Sequence, residues 1–326
     1  MKPTHRHELP ADKRRTHARA VRLEWVTLLY LASAIVFIRL TMGASQAMKV
    51  AWLEDMLSLI PAVAFLIASR VRNRAPDERH PYGWHRAISI AYLISAVALL
   101  VMGAVLLLDS IMKLVAFEHP TIGTVTVWGH HVWLGWLMIP AAVWSAVPAM
   151  VLGRMKLPLA RELHDKVLFA DAKMNKADWL TGMAAGAGVL GIAFGLWWAD
   201  AVAAAIISAD ILHDGLSNVR NAVADLMDTA PATVDGSGRD PLPARVETEM
   251  RRLPWVAEAK ARLREEGHVF FGEVFVVPRD GRVSASALDE AAEMLTQLDW
   301  RLHDVVVAPV ADLSDHVGEG PEVSRG

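Results

Sequence analysis

Two acidic residues, Glu54 and Asp55, lie inside the second long apolar stretch of the chain, and Ser58 follows within about one helical turn. Glu54 and Ser58 are spaced i, i+4, and Asp55 and Ser58 are spaced i, i+3, so each carboxylate shares a helical face with the hydroxyl group. Ionisable groups inside an apolar helix are costly and point to function by default. The pattern therefore indicates a cation-binding pair. The alternative is that both carboxylates reach the headgroups at the outer end of the segment.

A second polar group leads into the fifth apolar stretch and consists of Asp171, Lys173, Met174, Asn175, Lys176 and Asp178. Asp171, Asn175 and Asp178 lie on one helical face, and Met174 precedes Asp178 by one turn. Carboxylates and an amide suit a hard or borderline divalent cation, whereas a thioether shifts the preference toward softer metals. The alternative is that the membrane begins at Trp179 and the group is a cytosolic cap. The two lysines favour that alternative, because an ammonium group repels a bound cation.

A third group, Asp210, His213 and Asp214, occupies the sixth apolar stretch at spacing i, i+3, i+4, which gathers the three side chains on one face. A His–Asp pair of this kind binds metal or relays protons. The alternative is that His213 and Asp214 reach toward the cytoplasmic interface. Asp210 together with Asp178 is the nearest approach to an acid dyad, but nothing flanks the two in support of an intramembrane hydrolase. We therefore do not expect an enzyme.

A fourth group lies in the polar loop 77–86, where Asp77, His80 and His85 stand close together. Two acidic residues and two histidines within ten positions can hold a metal ion at the inner side of the membrane. The alternative is that the loop is charged for membrane topology alone.

The composition places these groups in a membrane protein. Of 326 residues, 53% are hydrophobic and 21% are charged, so the apolar residues must be segregated into blocks. The net charge of −3 argues against a nucleic-acid binder. The chain has no cysteine, which excludes disulfides, a cysteine-based zinc site and a cysteine nucleophile. The remaining candidate metal ligands are His, Asp, Glu, Asn and Met, and we expect no resident cofactor.

Six apolar stretches are long enough for a membrane-spanning helix, which needs about 20 residues. They cover residues 25–43, 47–69, 88–115, 132–152, 179–198 and 199–216. Residues 1–22 are polar and basic, so we expect no cleavable signal peptide.

Lysine and arginine are concentrated on one side of this arrangement. They crowd residues 1–22, the loop 70–86 and the loop between the fourth and fifth stretches, which holds Arg154, Lys156, Arg161 and Lys166, whereas 117–131 has none. Because basic loops stay in the cytoplasm, the sequence predicts that both termini are cytoplasmic and that the protein lies in a bacterial inner membrane.

The residues after Asp228 predict a soluble domain. The regions are a basic N-terminus at 1–22, a six-helix membrane domain at 23–228, a Pro/Gly-rich linker at 229–242, an α+β domain at 243–312 and a disordered tail at 313–326. Hydrophobic periodicity predicts an α-β-β-α-β order in the soluble domain, with residues 256–263 as its first strand and Ser284 as a helix cap.

Several motifs together resemble the cation diffusion facilitator family over about residues 20–312. The matching residues are Asp77, His80-Pro81-Tyr82-Gly83, His85-Arg86-Ala87, Asp178, Trp198-Ala199-Asp200 and Leu226-Met227-Asp228-Thr229-Ala230-Pro231, together with the acidic patch early in the second apolar stretch. The resemblance implies six membrane helices, a ferredoxin-like cytoplasmic domain, a homodimer and exchange of a divalent cation for protons.

The resemblance also assigns the site residues. The family pairs acidic or histidine ligands four residues apart on the second and fifth helices, and here those positions read Glu54 with Ser58 and Met174 with Asp178. In the loop, Asp77 matches the family's second site, whereas Trp84 stands where the family often has histidine and His85 lies one position later. The predicted loop site consists of Asp77, His80 and His85. The metal-binding histidines of the family's soluble domain are replaced by Phe275 and Ala308.

We therefore expect a divalent-cation efflux transporter, with ions such as zinc, manganese or iron as cargo and protons as the counter-substrate. The alternative is a non-transporting dimeric membrane protein with a partner or regulatory role. The reduced number of carboxylates in the site motivates that alternative.

Overall fold

The chain forms two compact units in the computed structural model, which describes residues 9–42, 46–72, 74, 76–117, 123–127, 130–194, 196 and 198–314. The helical unit comprises Ala11–Asn73 and Ala87–Val223. The C-terminal unit comprises Met1–Pro10, Arg74–Arg86 and Ala224–Gly326.

The helical unit is built from long helices and one short hairpin. Its elements are α1 (Ala11–Thr41), α2 (Gln46–Leu57), α3 (Leu59–Val71), α4 (Arg86–Val115), β1 (Thr124–Val127), β2 (His130–Trp133), α5 (Gly135–Leu163), α6 (Lys166–Ala193) and α7 (Ala199–Leu226). Strands β1 and β2 pair antiparallel. The sequence predicted an apolar helix from residue 132 and did not predict this hairpin, because four-residue strands give too short an alternation to recognise.

Within the described residues, four helical segments are long and apolar enough to cross a membrane: Ala11–Thr41, Ala51–Val71 (which includes α3 and most of α2), Arg86–Val115 and Gly135–Leu163. Helices α6 and α7 are comparably long at 28 residues each, but ionisable side chains interrupt them, among them Asp171, Lys173 and Asp178 in α6. The chain is therefore a multi-pass membrane protein.

The second predicted segment is broken at Ser58. Helix α2 ends at Leu57 and α3 begins at Leu59. Pro61 explains the break, because proline has no N–H to donate to the carbonyl of Leu57 and its ring clashes with that carbonyl. The break leaves Ser58 at the junction of the two helices.

Helices α5 and α6 form a tight antiparallel pair joined by His164 and Asp165 alone. His164 adopts the left-handed conformation that ends α5, with φ 49°. Small residues let the helices approach: a Cβ on Gly153 would lie 3.1 Å from the Cβ of Asn175, and one on Gly182 would lie 3.0 Å from that of Ala146.

This pairing corrects the predicted loop between the fourth and fifth segments. Helix α5 continues past residue 152 to Leu163, and α6 begins at Lys166 rather than near Trp179. Lys156 and Asp171 therefore lie in packed helices. The stretches predicted from hydropathy were shorter than these helices, because a hydropathy value treats a charged residue in a buried ion pair as if it were solvated.

The C-terminal unit contains α8 (Leu242–Arg251), β3 (Val256–Glu266), β4 (Val269–Pro278), α9 (Ala285–Leu298) and β5 (Leu302–Pro309). This is the predicted α-β-β-α-β order. Strand β3 pairs antiparallel with β4, and β4 pairs parallel with β5, so the described sheet runs β3-β4-β5. Parallel pairing of β4 with β5 requires a crossover, which α9 supplies.

Both helices pack on the sheet through one apolar face. Val246 and Met250 of α8 and Leu295 of α9 join Phe270 and Val274 of β4 in a single buried cluster. The hydroxyl group of Ser284 accepts a hydrogen bond from the Ala287 amide at 3.2 Å, which confirms the predicted cap of α9.

Candidate functional site

The clearest polar contact inside the helical unit joins Ser58 to Asp178. Ser58 Oγ donates a hydrogen bond to Asp178 Oδ1 at 2.6 Å, and both residues are buried. Asp178 Oδ2 is also buried and has no hydrogen-bond partner among the described residues. A buried carboxylate oxygen without a donor needs a cation or a proton. The break between α2 and α3 thus places a hydroxyl group against a carboxylate of α6 and leaves one oxygen open.

A second carboxylate, Asp55, lies on α2 beside this pair. Ser145 Oγ of α5 is within hydrogen-bonding distance of both Asp55 oxygens, at 3.2 Å and 3.3 Å. The hydroxyl group of Tyr30 in α1 donates a hydrogen bond to the main-chain oxygen of Ser145. Asp55 lies close enough to Asp178 for the two carboxylates to repel each other when both are ionised. Four helices therefore position two acidic side chains near one another.

Met174, which the sequence predicted beside Glu54, Ser58 and Asp178, does not join the Ser58–Asp178 contact. The side chain of Glu54 lies outside the part of the chain that the structure describes. Met174 is buried in an apolar cluster with Leu99 and Met102 of α4 and Ile211 of α7. Its thioether is packed as core, so the structure brings together Ser58 and Asp178 and adds Asp55.

Asp171 and Asn175 belong to a different contact group, one to two turns before Asp178 on α6. The Asn175 amide group donates to the Asp171 main-chain oxygen at 3.0 Å and to its Oδ2 at 3.1 Å. The same Asp171 oxygen is paired with Lys156, which also contacts Glu24 Oε2 at 3.0 Å. Asp171 is therefore paired with Lys156 and does not take part in the Ser58–Asp178 contact.

Sequence reasoning missed Glu24, Lys156, Ser145 and Tyr30. A signal was present in the helical periodicity. The buried stripe of α5 runs through Ser145, Ala149, Gly153, Lys156 and Ala160. A charged residue that keeps the spacing of small and apolar neighbours is expected to face the helix bundle.

The predicted group on α7 lies at the surface of the helical unit. Asp210 Oδ2 contacts Lys176 Nζ at 3.3 Å, and both side chains are more than half exposed. Asp214 Oδ1 contacts Lys173 Nζ at 3.0 Å, and His213 is exposed. The structure does not bring Asp210 to Asp178, and the two α6 lysines pair with α7.

The residues of the predicted loop site belong to the C-terminal unit and do not all lie together. Asp77 Oδ1 accepts hydrogen bonds from the amides of Arg79 and His80 at 2.9 Å and 2.6 Å, and His80 Nδ1 lies 3.0 Å away. These contacts, led by the His80 amide, lower the pKa of Asp77. His85 faces elsewhere, with its ring 5.2 Å from that of His303 and 5.6 Å from that of Phe271. Asp77 and His80 therefore meet, while His85 does not join them.

The Asp55–Asp178 pair has the chemistry of a hard-cation site. Among the side chains that the structure describes, no three His, Cys, Asp or Glu residues converge. Two carboxylates and the hydroxyl group of Ser58 supply oxygen ligands only, a set that suits a hard divalent cation better than a soft one. Carboxylates must be deprotonated to bind a metal, so a cation and protons compete for such a pair.

Several characterised bacterial proteins are similar to this chain. It is 29% identical to the manganese efflux system protein MneS of Bacillus subtilis over 163 residues, which are 50% of this chain and 52% of MneS. It is 26% identical to the manganese efflux system protein MneP of the same organism over 226 residues, 67% of this chain and 71% of MneP. It is 27% identical to the magnetosome protein MamB of Magnetospirillum gryphiswaldense over 200 residues, 59% of this chain and 61% of MamB. The chain thus spans about half the length of MneS.

The match to a family model covers the helices that build the site. Residues 25–227, more than half of the chain, match the cation efflux transmembrane domain. This range includes Asp55, Ser58 and Asp178. The chain therefore belongs to the cation efflux family, whose members are transporters rather than enzymes.

Proposed function

We propose that this protein exports a divalent metal cation, with Mn²⁺ as the cargo, in exchange for protons. The cation binds between α2, α3 and α6 at Asp55 and Asp178, with Ser58 orienting Asp178. Glu54, at the family position on α2, is the further carboxylate of this proposed site. Release on the far side follows when protons replace the ion at these carboxylates.

The open oxygen of Asp178 carries this proposal. Its partner oxygen is fixed by Ser58 at 2.6 Å, while Oδ2 is buried and has no hydrogen-bond partner in the described part of the chain. A carboxylate arranged in this way inside a membrane protein has a strong preference for a cation or a proton. Alternation between these two occupants is the basic requirement of cation/proton exchange.

Two observations support Mn²⁺ as the cargo. The site offers carboxylate and hydroxyl oxygens, which suit Mn²⁺ better than thiophilic metals. The relatives MneS and MneP are manganese efflux system proteins. Zn²⁺, Fe²⁺, Co²⁺ and Cd²⁺ are the competing ions to be compared.

The architecture that we propose for transport has six membrane-spanning helices: α1, the α2–α3 pair, α4, α5, α6 and α7. Both termini lie in the cytoplasm, since lysine and arginine are concentrated in the N-terminal segment and in residues 70–86, and basic segments favour that side. The protein is a homodimer in the bacterial inner membrane. The C-terminal α-β-β-α-β arrangement is proposed to be a ferredoxin-like cytoplasmic domain.

Metal flux in proteoliposomes tests this function. Purified protein is reconstituted with an imposed pH gradient, and uptake of Mn²⁺ is compared with uptake of the competing ions. We expect Mn²⁺ flux that increases with the gradient and that Asp178→Asn abolishes, because the substitution removes the charge that holds the ion.

A matched control is Asp109→Asn, which alters an acidic residue of α4 that pairs with Lys113 on its own helix. Its flux is expected to equal that of the wild type. Flux that ignores the pH gradient would exclude proton exchange. Absence of flux for every ion would favour the non-transporting dimeric role instead.

A further inference from the structure

A buried group of three charges, separate from the Asp55–Asp178 pair, joins α1, α5 and α6. Lys156 Nζ lies 3.0 Å from Glu24 Oε2 and is also paired with Asp171 Oδ2, and none of the three side chains has more than 1% of its surface exposed. We call these residues the Lys156 triad. A buried ion pair is seldom retained for stability, because apolar side chains of similar size often serve as well or better. The triad therefore requires another explanation.

Three acceptor oxygens in and beside the triad have no hydrogen-bond donor among the described residues, and we call them the open oxygens. Glu24 Oε1, Asp171 Oδ1 and Asn175 Oδ1 are all buried without a hydrogen-bond partner among the described residues. The Asn175 amide nitrogen is already bonded to Asp171, so Asn175 cannot satisfy these oxygens. The three open atoms come from carboxylate and amide groups, which are the ligands that hard divalent cations take.

The charges of the triad do not balance. Two carboxylates and one ammonium group leave one negative charge in excess when all three are ionised, in a part of the bundle without water-exposed surface. The Glu24 and Asp171 carboxyl groups also contact each other, so either a proton shared between them or a bound cation balances this charge. Two carboxylates match one divalent cation, but they cannot also compensate Lys156. A divalent cation and the ammonium group therefore compete for the same two carboxylates.

The triad lies close to the proposed transport site. Asp171 and Asp178 lie on one face of α6 and are separated by about 10 Å along the helix at 1.5 Å per residue. Asp171 and Lys156 both contribute to the electrostatic field at Asp178. Asp171 is nearer the His164–Asp165 turn, at the end of the helix pair where the basic residues gather.

We propose that Glu24, Asp171 and Asn175 form a second binding station for the transported divalent cation, at which the ammonium group of Lys156 holds the place of the ion. The arriving cation binds the three open oxygens and displaces Lys156, which returns when the ion moves on to Asp178. Competition from Lys156 keeps the ion's stay short. This inference rests on the proposed function, because it places the station on the path of the same ion.

Metal binding in a background without the main site tests the station. Full-length chains carrying Asp178→Asn are purified in detergent, and Mn²⁺ binding is measured by equilibrium dialysis. We expect Lys156→Gln in this background to bind one Mn²⁺ per chain at the station, at least about tenfold more tightly than the parent does, because the ammonium charge that repels the ion is gone. Addition of Asp171→Asn should remove that ion.

The matched control is Lys173→Gln in the same background. Lys173 is an ion-paired lysine two residues from Asp171, but its partner is Asp214 of α7. It should add no bound ion, so a gain seen in both lysine variants would overturn the assignment. A correctly folded Lys156→Gln chain that binds no further Mn²⁺ would also overturn it. The charge of the triad would then be balanced by a proton and not by a metal ion.

A second measurement applies if Lys156→Gln does not fold. Glu24→Gln in the otherwise unaltered chain should lower Mn²⁺ flux about tenfold while Mn²⁺ affinity at the Asp55–Asp178 site stays unchanged. Unaltered flux would refute the station. The dialysis result does not depend on transport, so failure of the proposed efflux and failure of the station are distinguishable.

Discussion

Asp55 and Asp178 are each contacted by one serine hydroxyl group from another segment. Ser58 donates to Asp178, and Ser145 contacts Asp55. A neutral donor fixes a carboxylate without competing with a cation for its charge, in contrast to Lys156 at Asp171. Ser58 stands where the resemblance to the family places an acidic or histidine ligand. The site is therefore not lost, because the hydroxyl group can support the Asp178 carboxylate.

At the residue scale, Ser58→Ala should weaken Mn²⁺ transport. The substitution leaves Asp178 Oδ1 without its donor, and loss of such a supporting contact lowers affinity about tenfold. The measurement is the KM for Mn²⁺ flux, which should rise, whereas Ser58→Thr should keep it near the wild-type value. Ser110→Ala is the control, because Ser110 is a buried serine that bonds back to Leu106 on its own helix. An unchanged KM in Ser58→Ala would count against the orienting role.

At the scale of elements, the turn between α5 and α6 sets the register of the helix pair that carries Lys156 and Asp178. The His164 amide donates to the Arg161 carbonyl at 3.3 Å, which ends α5. Asp165 Oδ1 accepts from the Leu168 amide at 2.9 Å, which caps α6. Burial of Asp165 raises the pKa of its carboxyl group to about 6. The turn therefore combines a useful cap with a charge that burial disfavours.

The raised pKa predicts a pH-dependent stability of this helix pair. An unfolded aspartate has a pKa of about 3.9, so between about pH 4 and pH 6 the folded chain holds the Asp165 proton more tightly than the unfolded chain. This contribution to stability is therefore full below pH 4 and declines as the pH rises to 6. Melting temperatures across pH 4 to 7 should show that decline in the wild type relative to Asp165→Asn, and parallel curves would contradict it.

The same position allows the cap to be separated from the charge. Asp165→Asn keeps an oxygen acceptor for the Leu168 amide, whereas Asp165→Ala removes it. The alanine variant should be about 1 kcal/mol less stable than the asparagine variant.

At the scale of the whole molecule, the interiors of the two units differ in composition. The helical unit buries paired charges such as Glu24 and Lys156 between long helices. The C-terminal unit has an apolar core under its sheet and fastens the linker by Arg301, which contacts Asp240 Oδ2 at 2.7 Å and Asp299 Oδ2 at 3.1 Å. Burial of Asp299 opposes ionisation, but its bonds to Arg301 outweigh that effect and lower the pKa of Asp299.

Removal of Arg301 should destabilise the C-terminal unit. Arg301→Ala leaves Asp240 and Asp299 without their shared cation, a loss of about 3 kcal/mol for a buried pair that loses one partner. Calorimetry of the full chain should show a lower melting temperature for one transition. Arg252→Ala is the control, because its pair with Glu249 is exposed and such a pair contributes at most about 1 kcal/mol. Equal shifts in both variants would contradict the role of Arg301.

The sequence alone determined the elements whose signals are local. Long apolar runs predicted the helices of the membrane domain, and alternation with helical periodicity predicted the α-β-β-α-β order and the cap at Ser284. Asp178 was identifiable because a carboxylate inside an apolar helix is costly wherever its partners lie.

The tertiary structure decided which polar groups meet. Ser58 contacts Asp178, and Met174 packs in an apolar cluster. Lys156 lies in a helix and not in the predicted loop, and it pairs with Glu24 and Asp171. Hydropathy assigns a lysine the same value whether it is solvated or paired in a bundle. Only the packing of helices distant in sequence supplies the partner that makes a buried charge tolerable, and a single chain's residue pattern does not contain that information.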